Sequence, residues 1–175
     1  MNTVSMLTKG IAESLLKAAL ENVELDGFLV PVLFLDVTEQ GRLIHTLKAM
    51  PNTPEQRQTY FNHIGSHYWR LGQRIQEAVV LMESWFVLPQ EAPGALRMQP
   101  SQHPCRKEAV VLIGRDAANT RSTQVIQPIT RDASNKPVWN KPLMALYDEP
   151  VKQGYSTQGL LDDLFQANQR LIVEG

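Results

Sequence analysis

A single carboxylate, Glu83, lies at the centre of an apolar run that extends from Ala78 to Leu88. In a β-strand, alternate side chains share a face, so Glu83 would lie in one row with Leu81 and Trp85. An ionised carboxylate buried among apolar groups is costly unless it is paired or its pKa changes. The run therefore predicts that Glu83 has a polar partner elsewhere in the chain.

Candidate partners follow about twenty residues later, around the segment from Ser101 to Glu108. If residues 107 to 115 form a strand antiparallel to the Glu83 strand, Arg106 could approach Glu83 or Trp85 at their shared end. Two carboxylates and a guanidinium beside an indole would form a small recognition pocket. We therefore predict a ligand-binding site made of Glu83, Trp85, Ser101, His103, Arg106 and Glu108. The structural alternative is an ion pair between Arg106 and Glu108 that holds in place the long loop predicted for residues 89–104.

The only cysteine, Cys105, offers an enzymatic alternative. A nucleophilic thiol needs a histidine or another cation that lowers its pKa, and His103 is two residues away. Glu83 or Glu108 could orient the imidazole, which would make a hydrolase using His103, Cys105 and a carboxylate. Lone cysteines are more often packed or inert. The sequence therefore designates no catalytic residue, and an enzyme is the alternative hypothesis to a non-enzymatic binding domain.

Metal and cofactor motifs are incomplete in this sequence. His63 and His67 are spaced by four residues, but the zincin pattern requires a glutamate beside the first histidine, where Ile64 stands. The zinc deaminase signature requires a second cysteine at the position of Glu108. Neither a P-loop nor a glycine-rich dinucleotide turn occurs. We predict no metal site and no cofactor.

Positive charge is concentrated in one part of the chain. Lys and Arg number 17 and Asp and Glu 18 overall, whereas residues 97 to 141 carry 8 against 3. Such a segment is compatible with a phosphate or nucleic-acid partner, and Trp139 among basic residues could stack on a base. Arginines on solvated strands explain the same charge. A weak, steeply salt-dependent nucleic-acid binder acting through residues 115 to 141 is therefore the third hypothesis, and nucleic acid is not the favoured partner.

Length and composition indicate one domain, residues 1 to 175. One cysteine cannot form an intrachain disulfide, so nothing indicates an oxidising compartment. No apolar stretch is long enough to span a membrane, and the first residues do not resemble a signal peptide. We expect a cytoplasmic location, no membrane partner, and a protein partner or a second copy of the chain as the possible macromolecular ligands.

Hydrophobic periodicity and capping signals predict the order helix, hairpin, helix, three strands, helix. The predicted elements are a helix from Thr8 to Asp26, a hairpin of residues 28–37 and 42–49, a helix from Pro54 to Leu71, the Glu83 strand, a hairpin of residues 107–115 and 123–131, and a helix from Thr157 to Ile172. The hairpins imply an α+β fold with a mainly antiparallel, or mixed, sheet of about five to six strands and two to three packed helices.

Three stretches of the sequence also carry a family resemblance. The motif Glu83-Ser84-Trp85, followed after a variable loop by residues 100–109 (PSQHPCRKEA), resembles a group of uncharacterised bacterial and phage-borne proteins. Asp26-Gly27 before the first strand belongs to the same pattern, which covers about two thirds of the chain. The resemblance implies no activity, and it marks the same stretch as the place to look for a site.

Overall fold

The computed structural model describes residues 3–51, 53–88, 90–91, 102–151 and 160–169. Its helices are α1 (Lys9–Asp26), α2 (Pro54–Arg70) and α3 (Asp162–Asn168). Its strands are β1 (Val32–Val37), β2 (Gly41–Thr46), β3 (Ile75–Phe86), β4 (Lys107–Asp116), β5 (Arg121–Arg131), β6 (Pro137–Trp139) and β7 (Met144–Pro150). None of these helices is long and apolar enough to cross a membrane.

The strands form one sheet in the order β2-β1-β3-β4-β5-β6, and β7 pairs with β5 as well. Every pairing in the described part of the chain is antiparallel. The predicted α+β fold with a mainly antiparallel sheet is therefore confirmed, and the first hairpin also joins β3 in an antiparallel pair.

The sheet has one strand more than the upper end of the expectation, because β6 forms in a stretch to which the sequence analysis assigns no element. Asp132 makes this turn possible, since its Oδ1 accepts hydrogen bonds from the backbone N–H groups of Ser134 (2.8 Å) and Lys136 (3.0 Å). Pro137 is tolerated because β6 lies at the edge of the sheet. A turn fixed by a side chain thus adds a short strand that apolar alternation does not indicate.

Local capping chemistry sets the helix ends. Gly27 takes a left-handed conformation (φ 81°) after α1, and its N–H donates to the carbonyl of Val23 at 2.9 Å. The Thr53 hydroxyl accepts from the N–H of Gln56 at the start of α2. The last helix is the exception, because α3 begins only at Asp162. Residues 157–159 and 170–172 of the predicted helix lie outside the described residues.

Helices cover both faces of the sheet. One core lies between α1 and the sheet and includes Val79, Leu81 and Val110. The other lies between the sheet and the pair α2 and α3, and it includes Ala78 and Val80. Both alternations of the central strand β3 are therefore buried, which explains its nearly continuous apolar sequence. Glu83 belongs to the alternation that faces α1.

Candidate functional site

The candidate site lies on the α1 side of the sheet, at the C-terminal end of that helix. In the β3–β4 register Trp85 is opposite Glu108, and Glu83 is opposite Val110. Residues that are opposite each other on antiparallel strands share a face. Glu83, Trp85 and Glu108 therefore lie on one face, as the sequence predicted for the first two. We call the area formed by Glu83, Trp85, Arg106, Glu108 and Arg131 the Trp85 surface.

The hydrogen-bond partner of Glu83 is a backbone group that follows α1. Its Oε1 accepts from the N–H of Leu29 at 2.7 Å. The left-handed Gly27 ends the helix two residues earlier, and Leu29 is buried against the sheet. The carboxylate therefore ties the chain that leaves α1 to strand β3.

Burial is the main reason that the pKa of Glu83 is raised above its ordinary value. The neighbouring Glu108 carboxylate raises this pKa further by repulsion. The Leu29 hydrogen bond and the positive charge of Arg131 lower the pKa, and they do not outweigh burial. Glu83 is thus a carboxylate whose ionised form is disfavoured by its surroundings.

Glu108 is paired with Arg131 of β5, not with Arg106. Arg131 Nη2 lies 3.4 Å from Glu108 Oε1, and both side chains are largely buried, with 22% and 24% of their surface exposed. Arg131 Nη2 also donates to the carbonyl of Gly27 at 3.3 Å. Neither Glu83 nor Glu108 forms an ion pair with Arg106 in the described part of the chain. The expectation that Arg106 pairs directly with Glu83 or Glu108 is therefore wrong. The β4–β5 register brings Arg131 to this face instead.

Arg106 instead lies over the indole of Trp85. Its guanidinium carbon is 5.1 Å from the ring centroid, which is within the range of a cation–π contact. Trp85 is 43% exposed although it lies on a central strand, and Arg106 is also exposed. The sequence predicted that Arg106 lies near Glu83 or Trp85, and in the structure it contacts Trp85.

The residues of the enzymatic alternative do not form a catalytic arrangement among the described residues. His103 Nδ1 accepts from the backbone N–H of Cys105 at 3.0 Å, so this ring nitrogen binds the backbone and not the thiol. Cys105 is exposed, and no described hydrogen bond joins its sulfur to an imidazole or a carboxylate. Ser101, the remaining candidate residue, lies outside the described residues.

Sequence reasoning missed Leu29, Arg131, Trp139 and Glu24 as parts of this region. Trp139 Nε1 donates to Glu24 Oε1 at 2.5 Å, which links β6 to the last turns of α1. One signal was available, because α1 ends with acidic residues and has no basic residue in its last turn. Carboxylates oppose the negative end of a helix dipole. Acidic residues at that position therefore indicate a role other than stabilising the helix.

Carboxylates pair with the three arginines of residues 115 to 141. Arg115 pairs with Asp162 at 2.9 Å, Arg121 with Asp148 at 2.8 Å, and Arg131 with Glu108. A phosphate would have to displace these partners before it could bind the guanidinium groups. The nucleic-acid hypothesis therefore requires that these ion pairs open.

No protein-family model, curated protein or solved structure matches this chain. Within the described ranges, no group of three or more His, Cys, Asp or Glu side chains is placed to hold a metal ion. The case for a function therefore rests on the geometry of the Trp85 surface.

Replacing Glu83 with glutamine should raise the free energy of unfolding at neutral pH. The folded pKa of Glu83 is above its unfolded value, so the protonated form stabilises the fold, and this stability is lost as the pH rises through the folded pKa. Glutamine resembles the protonated acid and can still accept from Leu29. The gain should be present at pH 7 and disappear below about pH 4.5. Urea unfolding of both proteins across this pH range measures it.

Glu77→Gln is the matched control, because Glu77 lies on the same strand and the same face. Its two oxygens accept separately from the Ser5 hydroxyl (2.5 Å) and the Met6 N–H (2.8 Å), and one amide oxygen cannot replace both. The control should therefore lose about 1 to 2 kcal/mol at pH 7. A loss of stability at pH 7 in Glu83→Gln as well would contradict the unfavourable environment assigned to Glu83.

Proposed function

We propose that this protein is a non-enzymatic binding domain, and that its Trp85 surface binds a protein partner or a small polar ligand. The observation that carries the proposal is a half-exposed tryptophan, held on a central strand, between carboxylate and guanidinium groups. Tryptophan and arginine are the residue types that most often dominate the energy of a binding interface. Burying the remaining indole surface against a ligand would supply apolar contact area, and the charged neighbours would orient the ligand.

The scaffold beneath this surface supports binding without large rearrangement. Trp85 and Glu108 are directly paired between two central strands, and Arg131 lies on the next strand. Ligand sites on paired strands hold their geometry better than sites on loops. A cytoplasmic location belongs to the same proposal, because Cys105 is an exposed free thiol, and a free thiol persists in a reducing compartment.

A binding screen that reports on the indole of Trp85 tests the proposal. Acidic, neutral and basic hexapeptides, titrated into 15N-labelled protein, should include at least one that shifts the indole N–H resonance of Trp85. Trp85→Ala should weaken that binding by about 10-fold or more, as expected for a central aromatic contact.

The chain contains a matched control for this variant. Trp69 on α2 also forms a cation–π contact, since the guanidinium carbon of Arg74 lies 4.1 Å from its ring centroid. Trp69→Ala removes an indole with the same kind of contact at a different place and should leave peptide binding unchanged. Equal loss of binding in both variants, or binding that survives Trp85→Ala, would overturn the proposal.

A further inference from the structure

One oxygen of the Glu83 carboxylate is left without a partner. Oε1 accepts from Leu29, whereas Oε2 forms no hydrogen bond with any residue that the structure describes, and it is not fully enclosed. Arg131, the cation that lowers the pKa of Glu83, is engaged by Glu108. Glu83 is therefore a partly buried carboxylate without an ion pair of its own among the described residues, and a cation that reached Oε2 would stabilise it.

The Trp85 ring is placed to hold such a cation. Glu83 and Trp85 are two residues apart on one face of β3, so their Cα atoms are about 7 Å apart. A flat cation resting on the indole could therefore direct an N–H group toward the Glu83 carboxylate. Cations favour the face of an indole because of its quadrupole. The guanidinium of Arg106 already occupies a position over this ring.

The surroundings of the Trp85 surface are rich in carboxylates. The last turns of α1 contribute Glu24 and Asp26, and no basic residue lies in the last turn. Glu24 is fixed near the sheet by its hydrogen bond from Trp139. The C-terminal end of the helix adds its own partial negative charge. Together with Glu83, these groups attract positive charge to this end of the sheet, whereas Glu108 is already paired with Arg131.

We infer that the ligand of the Trp85 surface is a cationic group, a guanidinium or an ammonium, and that Arg106 occupies its position until the ligand displaces it. The inference rests on the proposed function and specifies its ligand class. The cation stacks on Trp85 and donates to Glu83 Oε2. Arg106 immediately precedes β4 and is exposed, so it can leave the ring without disturbing the sheet.

The test compares arginine with its neutral isostere. N-acetyl-arginine amide and N-acetyl-citrulline amide, titrated separately into the 15N-labelled chain, differ in charge and hardly in shape. The arginine derivative should shift the Trp85 indole resonance, and the citrulline derivative should not. Arg106→Gln should tighten arginine binding by about 2- to 5-fold, the equivalent of one exposed cation–π contact. Arg74→Gln, which frees the Trp69 ring in the same way, should leave the affinity unchanged.

Two further ligands show whether the cation belongs to a partner protein or to a small molecule. They also show whether the inference alone fails or the proposed function fails with it. A hexapeptide with a central arginine that binds more tightly than the amide would indicate a cationic side chain of a partner protein, and equal affinities would indicate a small cation. Citrulline binding as tight as arginine binding overturns the inference. So does tight binding of N-acetyl-glutamate amide that is lost in Arg106→Gln, although that result would leave the proposed binding function intact. If no probe of either charge shifts Trp85, in the natural protein or in Arg106→Gln, both proposals are wrong.

Discussion

Gly65→Ala should lower the free energy of unfolding by about 3 kcal/mol, at the upper end of the cost of overpacking. Gly65 lies in α2 where α3 crosses it, and a Cβ atom there would overlap the carbonyl oxygen of Leu164 and lie 2.9 Å from the Cβ of Ala167. The first of these is a backbone atom, so no rotamer change relieves the overlap. For a chain of this size the melting temperature should fall by roughly 6 to 12 °C. Urea unfolding and a thermal scan measure the two quantities.

Gly10→Ala provides the matched control, because Gly10 is also helical and its Cβ would meet nothing within 4 Å. Alanine is the better helix former by about 1 kcal/mol in a helix interior. The control should be neutral or slightly more stable than the natural protein. If Gly65→Ala were as stable as Gly10→Ala, the close contact of α2 with α3 would be incorrect.

The elements that sequence reasoning predicted well are those with local signals. Gly27 ends α1 through its own backbone conformation, and Thr53 starts α2 through a hydrogen bond three residues away. The close approach at Gly65 depends on α3, about a hundred residues later, and the only local hint is a glycine in mid-helix, where one usually has a packing reason. Such contacts are determined by tertiary packing, so a periodicity argument does not contain them.

The same distinction applies to the site. The unusual position of Glu83 follows from alternation within one strand, and the face that it shares with Trp85 was predictable for that reason. Its actual partner, Leu29, is 54 residues away, and the contact depends on the path of the chain after α1. Arg131 enters only through the pairing of β4 with β5. Strand register cannot be read from charges, which explains why the sequence indicated Arg106, at the start of the predicted neighbouring strand, as the partner.

The surface and the scaffold of this protein meet different physical requirements. At the α2–α3 contact, the buried side chain of Asn168 uses both its oxygen and its nitrogen in hydrogen bonds. At the Trp85 surface, Glu83 is disfavoured in its ionised form and the Trp85 indole is left half exposed. Local features that lower stability tend to persist at functional sites, where another requirement compensates for them. This contrast supports the proposal that the Trp85 surface binds a ligand.

Asn168→Ala should also lower the free energy of unfolding strongly, because Asn168 joins α3 to the sheet. Asn168 is 1% exposed at the end of α3; its Oδ1 accepts from the N–H of Ile75 at 2.7 Å, and its Nδ2 donates to the carbonyls of Gly65 (3.2 Å) and Gln73 (3.1 Å). Alanine leaves the buried N–H at the start of β3 without an acceptor, and each such group costs about 1 to 3 kcal/mol. We expect a total loss of about 3 kcal/mol or more, measured by urea unfolding, and faster hydrogen exchange of the Ile75 amide.

Two companion variants separate this hydrogen-bond effect from a general weakening of α3. Gln166 is exposed on the same helix, so Gln166→Ala should change stability by less than about 0.5 kcal/mol. Asn168→Asp keeps an acceptor for Ile75 but places a carboxylate against two carbonyl oxygens, so it should be destabilising at neutral pH. In acid, the protonated carboxyl can donate to one of these carbonyls, and part of the stability should return. Full stability of Asn168→Ala with a protected Ile75 amide would mean that Asn168 does not join α3 to β3, and that another contact holds the helix on the sheet.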